Sequence, residues 1–212
     1  MIQKVVPTIF AKDISTLKHK FELLKFSSKI HLDICDSKFV PTKTISLRDC
    51  FTLRDSSQEI EVHLMVQKPL DFLSDCHTLH VKRVFIHREI FDSIEDFLEV
   101  KKQFSNVHIE VALVCNPETK VEDSLIFLSE VNHVLLMSVV PGAEGQSFIF
   151  DVLNKIRQIK VLLPEMKIQI DGGITLETGE ISLKKGIDTL SVGSFISSSK
   201  TPKKNYNLLL KL

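Results

Sequence analysis

Residues 29–36 read KIHLDICD, a short apolar run that carries His31 and Asp33 two positions apart near its end. Side chains alternate along an extended chain, so these two face the same way. Two further runs end in the same manner: EVHLMV (61–66) holds His63, and IQIDGG (168–173) holds Asp171. Around them, β-rich runs alternate with amphipathic stretches, the order that a parallel sheet with crossover helices requires. Eight candidate strands follow: VVPTIF (5–10), KIHLDIC (29–35), EIEVHLMV (59–66), RVFIH (83–87), HIEVALV (108–114), HVLLMSV (133–139), KIQID (167–171) and TLSVG (189–193). Helical patterns lie between them at 93–104, 119–130 and 148–163. The expected class is α/β: a single (β/α)8 TIM barrel with parallel strands, occupying 1–212 as one domain. A doubly wound open sheet would use fewer strands and a glycine-rich first turn, whereas residues 1–141 contain no glycine.

The chain has 212 residues with 27 basic against 27 acidic side chains, so no net field draws it to nucleic acid or to a membrane surface. No stretch approaches the length of an apolar membrane span. The opening MIQKVVPTIFAKD has too short an apolar run for a signal peptide and no small-residue cleavage site, so a cytoplasmic location is expected. Cys35, Cys50, Cys76 and Cys115 form no C-x-x-C pair and read as reduced, buried thiols. All seven glycines (Gly142, Gly145, Gly172, Gly173, Gly179, Gly186 and Gly193) fall in the last third. Five of these sit in three loops that each follow an apolar strand, which suggests a backbone cradle for an anion. The tail KTPKKNYNLLLKL (200–212) reads as a final helix with a polar start, or as a tail against a neighbouring subunit.

In such a barrel the loops after the C-terminal strand ends build the site. His31 and Asp33 near the end of strand 2, His63 on strand 3 and Asp171 on strand 7 can converge across the mouth. One histidine on an apolar strand is most simply a hydrogen-bonded core residue. Two imidazoles and two carboxylates at strand ends make a ligand set for a divalent metal, with carboxylates left over for proton transfer. His19, His77, His80 and His108 lie in helical or turn contexts, and His77 and His80 beside Cys76 supply too few ligands for a second cluster.

The motifs together resemble the ribulose-phosphate 3-epimerase family, in order from about Val6 to Ser198: HLDICDSKFVPT (31–42), VHLMV (62–66), FIHRE (85–89), CNPETKVE (115–122), MSVVPGAEGQSF (137–148), DGGI (171–174) and Gly193-Ser194. The resemblance implies inversion of C3 of a ketopentose phosphate, D-ribulose 5-phosphate to and from D-xylulose 5-phosphate, through an enediolate. It implies one divalent ion, zinc, iron, manganese or cobalt, on His31, Asp33, His63 and Asp171, with Asp33 and Asp171 also the acid/base pair. It places the substrate's phosphate on the backbone at Gly142, Ala143, Glu144, Gly145, Gly172, Gly173, Gly193 and Ser194. Thr8, His63, Met65 and Met137 complete the substrate contacts, and a homo-oligomer is expected.

The departures from the family pattern are specific. G-F-G-G becomes Gly142-Ala143-Glu144-Gly145, which sets a carboxylate where an anion should be cradled. If Glu144 points outward the backbone can still serve; if the position needs positive φ, a non-glycine costs on the order of 1 kcal/mol or more. Cys35 replaces a methionine, Ser37 a loop glycine, and Val140 an asparagine or aspartate. Two alternatives stay open: an epimerase of a six-carbon ketose phosphate such as allulose 6-phosphate, and a catalytically degenerate phosphosugar-binding barrel. Related barrels that decarboxylate or aldolise sugar phosphates resemble a D-x-K-x-x-D strand motif, and HLDICD has no lysine.

Overall fold

Eight parallel strands close on themselves in chain order: β1 (Val5–Phe10), β2 (Lys29–Cys35), β3 (Glu59–Met65), β4 (Arg83–His87), β5 (Glu110–Cys115), β6 (His133–Met137), β7 (Lys167–Asp171) and β8 (Thr189–Val192). The computed structural model describes residues 4–51 and 57–212. Helices α1 (Ile14–Leu23), α2 (Leu73–Thr78), α3 (Ile94–Asn106), α4 (Val121–Leu128), α5 (Leu153–Leu162), α6 (Leu176–Lys184), α7 (Ser194–Ser197) and α8 (Pro202–Leu210) follow the strands. Between β2 and β3 the described residues form an isolated bridge between Asp36 and Lys43 and a 3-10 turn, Leu47–Cys50. Among the described residues, no helix is long and apolar enough to cross a membrane.

The period-two pattern sorts each strand into two faces. Ile30, Leu32 and Ile34 of β2, Ile60, Val62 and Leu64 of β3, and Ile168 and Ile170 of β7 point outward into one continuous core beneath the helices. That core includes Phe97 and Phe104 from α3 and Leu209 from α8, so the lysine-rich tail packs on its own barrel. The inward face is divided. Phe85, Ala112, Val114, Leu135 and Met137 make the middle of the β4–β6 side apolar, whereas His31, Asp33, Glu61, His63, Gln169, Asp171 and Ser191, with His87 of β4, are polar and buried.

Strand β6 ends at Met137 rather than at residue 139, and two larger shifts of expected boundaries have local reasons. Strand β5 starts at Glu110, not at residue 108, because α3 ends in a turn: His108 takes φ +61 and Ile109 N–H returns to Phe104 O at 3.1 Å. The helix expected over 148–163 begins only at Leu153, after a 3-10 turn at Phe150–Val152. Residues before it are committed elsewhere, since Ile149 N–H donates to Ser138 O at 2.8 Å.

Ser138 also fastens the end of β6 to that of β7. Its N–H donates to Asp171 O at 2.7 Å, and its hydroxyl reaches Asp171 O at 2.8 Å and Gly172 O at 2.7 Å. The chain then turns sharply at Gly172, with φ +110, where a Cβ would stand 2.4 Å from Val139 Cγ2. Strain and overlap add, so Gly172→Ala should cost at least about 2 kcal/mol in urea unfolding. An unchanged midpoint would show that this loop relaxes without loss.

Candidate metal and acid/base site

Strands β2 and β3 pair so that His31 lies beside Glu61 and Asp33 beside His63. All four point into the barrel, as the alternation requires. His31 Nδ1 donates to Glu61 Oε1 at 2.8 Å, and this fixes the ring with Nε2 turned away from that carboxylate. His31 Nε2 is buried and has no hydrogen-bond partner; Asp33 Oδ1 lies 3.6 Å away. His63 Nδ1 faces Asp33 Oδ1 at 3.1 Å and Asp171 Oδ2 at 3.9 Å. One ligand atom from each of His31, Asp33, His63 and Asp171 falls within 4.8 Å of all the others, and all four residues are buried. An orphaned imidazole nitrogen aimed at two carboxylates and a second imidazole fits a divalent cation of mixed N/O preference.

The outer contacts of this cluster were not singled out by sequence. Glu61 Oε1 also accepts from Gln169 Nε2 at 2.6 Å, and Gln169 donates to Ser191 Oγ at 2.7 Å. On its other oxygen, Lys29 Nζ stands 3.3 Å away and an Arg83 nitrogen 3.7 Å. His63 Nε2 meets His87 Nε2 at 2.8 Å, and His87 Nδ1 meets Glu89 Oε2 at 3.1 Å. Glu89 is held in turn by Asn116 N–H at 2.8 Å and by the Thr119 hydroxyl. Carboxylates therefore reach both inner imidazoles, Glu61 directly at His31 and Glu89 through His87 at His63. The available signal was a charged residue at an inward strand position, which Glu61 and His87 share with the four predicted residues.

Protonation follows from these contacts. Burial opposes charge on His31, but Asp33 and Glu61 override it and push the imidazole up to about 10. Burial takes His63 down to about 4, with His87 adding to the fall. Glu61 is desolvated yet drops to about 2 beside His31 and Lys29. Of the two cleft carboxylates, Asp33 is held low against its burial by the His31 and His63 imidazoles beside it. Asp171 is raised, by burial first and then by the Asp33 charge. The same barrel mouth thus favours the ionised form of one carboxyl and the protonated form of the other.

A cleft opens above the cluster. Its lining includes Asp33, Asp171, Thr8, Met65, Met137, the loop 141–146, Gly172, Gly173, Gly193 and Ser194. His31 and His63 are fully buried beneath and do not line it. The three glycine loops do come together, with Gly142, Gly145, Gly172 and Gly173 all at positive φ. Ser37 takes φ +61, the conformation a glycine would hold there without strain. Glu144 needs no positive φ, and it points inward: its carboxylate binds Lys20 Nζ at 2.9 and 3.0 Å. Cys35 Sγ packs at 3.8 Å from Met65 Sδ, and Val140 is exposed. His19, His77, His80 and His108 are all exposed and apart from the cluster.

The family model described as "Ribulose-phosphate 3 epimerase family" matches residues 4–197. Ribulose-phosphate 3-epimerase of Helicobacter pylori is 31% identical over 205 residues, covering 94% of this chain and 93% of the relative. That of Schizosaccharomyces pombe is 28% identical, covering 95% and 90%. Among solved structures, a tryptophan synthase complex from Pyrococcus furiosus superposes with TM-score 0.72 at 18% identity, covering 99% of this chain and 98% of that one. A thiamine phosphate pyrophosphorylase from the same organism gives 0.63 at 15%, covering 99% and 94%. At these identities the structural likeness shows the barrel alone.

If Glu61 fixes the His31 ring, Glu61→Gln should weaken cobalt or zinc binding by about 10- to 100-fold in competition with a chromophoric chelator. Unchanged affinity would remove Glu61 from any role in shaping the site.

Proposed function

The chain belongs to the ribulose-phosphate 3-epimerase family, and on that premise we propose that it interconverts D-ribulose 5-phosphate and D-xylulose 5-phosphate with Asp33 and Asp171 as its acid/base pair. It is an isomerase acting on carbohydrate. The observation that carries the residue assignment is the convergence of two cleft-lining carboxylates and two buried imidazoles within 4.8 Å.

The C–H next to a ketone is a weak acid, and its removal leaves a planar enediolate. Returning a proton to the face from which it left regenerates the substrate; a proton on the opposite face gives the epimer. Two carboxylates can do this where one cannot without leaving its place. Asp33 stands on β2 and Asp171 on β7, on either side of the β1–β8 pair. With the substrate between them, the ionised carboxylate takes the proton from C3 and the protonated one delivers to the other face. Their roles exchange in the reverse direction.

His31, Asp33, His63 and Asp171 would hold a divalent cation, which when bound supplies Lewis acidity toward the ketone oxygen. The donor set suits zinc, iron, manganese or cobalt. For His31 to join it, the proton on Nε2 has to leave. Met65 and Met137, both buried, wall the pocket and keep bulk water from the reacting carbon. Thr8 Oγ1, buried without a partner, offers a hydroxyl to the substrate. The backbone at 142–145, 172–173 and 193–194 would receive the phosphate.

A coupled assay of ribulose 5-phosphate conversion, with metal restored after chelation, tests this reading. Asp33→Asn and Asp171→Asn should each lower kcat by about 10²- to 10⁴-fold. Near-native turnover in either variant would end the two-carboxylate assignment.

A further inference from the structure

The Glu144 carboxylate sits in the space that the glycine loops enclose. Its Oε1 lies 3.5 Å from the point where a Cβ on Gly193 would stand, and Thr8 Cβ is 4.0 Å from the same point. The carboxylate is paired there with Lys20 of α1, whose side chain is 8% exposed while that of Glu144 is 32% exposed. Lys20 Nζ also donates to Phe10 O at 2.8 Å, so the backbone of β1 anchors the ammonium. Thr8 Oγ1, on the same strand and lining the same cleft, has no hydrogen-bond partner. One buried cation, one anchoring carbonyl and one unused hydroxyl therefore surround a place filled by the protein's own anion.

A phosphoryl group and the Glu144 carboxylate cannot share that place, because they overlap in space and repel in charge. One of them has to give way, and the two partners of the ion pair differ in freedom. Lys20 is buried and tied to β1. Glu144 lies in a loop between Gly142 and Gly145, at φ +104 and +78, and a third of its side chain already meets solvent. Leaving Lys20 without an anion would strand a buried charge, so any group that displaces Glu144 must replace its charge.

We propose that Lys20 is the charged contact for the substrate's phosphate, and that Glu144 is a resident anion that neutralises Lys20 until the phosphate takes its place. The proposal rests on reading the cleft as a sugar-phosphate site. Exchange of one anion for another selects for a phosphorylated ketose, since a neutral sugar hydroxyl cannot compensate the ammonium.

The test is calorimetric titration of inorganic phosphate into the full chain, in buffer free of phosphate and sulfate. Glu144→Gln should bind phosphate about tenfold tighter than the native chain, the worth of one charge-assisted contact freed from competition. Adding Lys20→Met to Glu144→Gln should remove that gain. Equal phosphate affinity in the native chain and Glu144→Gln, or in Glu144→Gln and the double variant, would overturn the proposal. Should Lys20→Met fail to fold, the Lys20 Nζ resonance of lysine-labelled Glu144→Gln should shift on addition of inorganic phosphate, and an unmoved resonance would overturn it equally. Turnover of ribulose 5-phosphate, measured separately on the native chain, isolates the epimerase reading. Its absence alongside the expected phosphate pattern would overturn that reading alone.

Discussion

Glu61 is a fully buried carboxylate in the middle of the barrel, and its charge has to be answered from several directions. His31 and Gln169 donate to one of its oxygens, while Lys29 and Arg83 stand near the other. These partners come from β2, β7 and β4, so this one side chain ties together strands that do not pair with each other. Below it, Arg83, Glu110 and His133 close the N-terminal end: Arg83 reaches Glu110 Oε2 at 2.8 Å, and His133 Nδ1 reaches Glu110 Oε1 at 2.6 Å. Above it stands the His31 ring. The ion-paired floor and the orientation of the cluster are thus set through one buried charge.

The divided interior places the chemistry. Apolar side chains from β4, β5 and β6 fill their side of the barrel, with Phe85 against the His31 ring at 5.3 Å. At the mouth β2, β3 and β7 supply the cluster, His87 of β4 backs it, and the loops after β6, β7 and β8 supply the glycines. Strands carry the carboxylates, whereas the loops that would receive a phosphate carry glycines at positive φ. Ser138 joins the two by fixing the Asp171 carbonyl and the Gly172 turn to the end of β6. The Asp171 carbonyl and the Gly172 turn are therefore held by the same few hydrogen bonds.

Much of this was legible in the chain. Runs such as KIHLDIC and KIQID show outward apolar residues at every second position, and the structure returns those strands to the residue. Parity alone put His31 and Asp33 on one face, and strand-end placement brought His63 and Asp171 to them. What sequence could not show was the partner of each inward polar group. Glu61 and His87 look like the four predicted residues by position, and only depth in the barrel separates a group that meets the cleft from one that orients a neighbour. Boundaries moved where a turn competed, as at His108. The direction of Glu144 was likewise hidden, because it depends on Lys20, 124 residues away in the chain.

The central claim is that two carboxylates address C3 from opposite faces. Isotope exchange in a single turnover tests it most directly. With ribulose 5-phosphate in deuterium oxide, the account predicts that the first xylulose 5-phosphate formed carries deuterium at C3 while unreacted substrate stays unlabelled. Product that retains the substrate's own hydrogen at C3 would mean that one group carries the proton across, and would contradict the account.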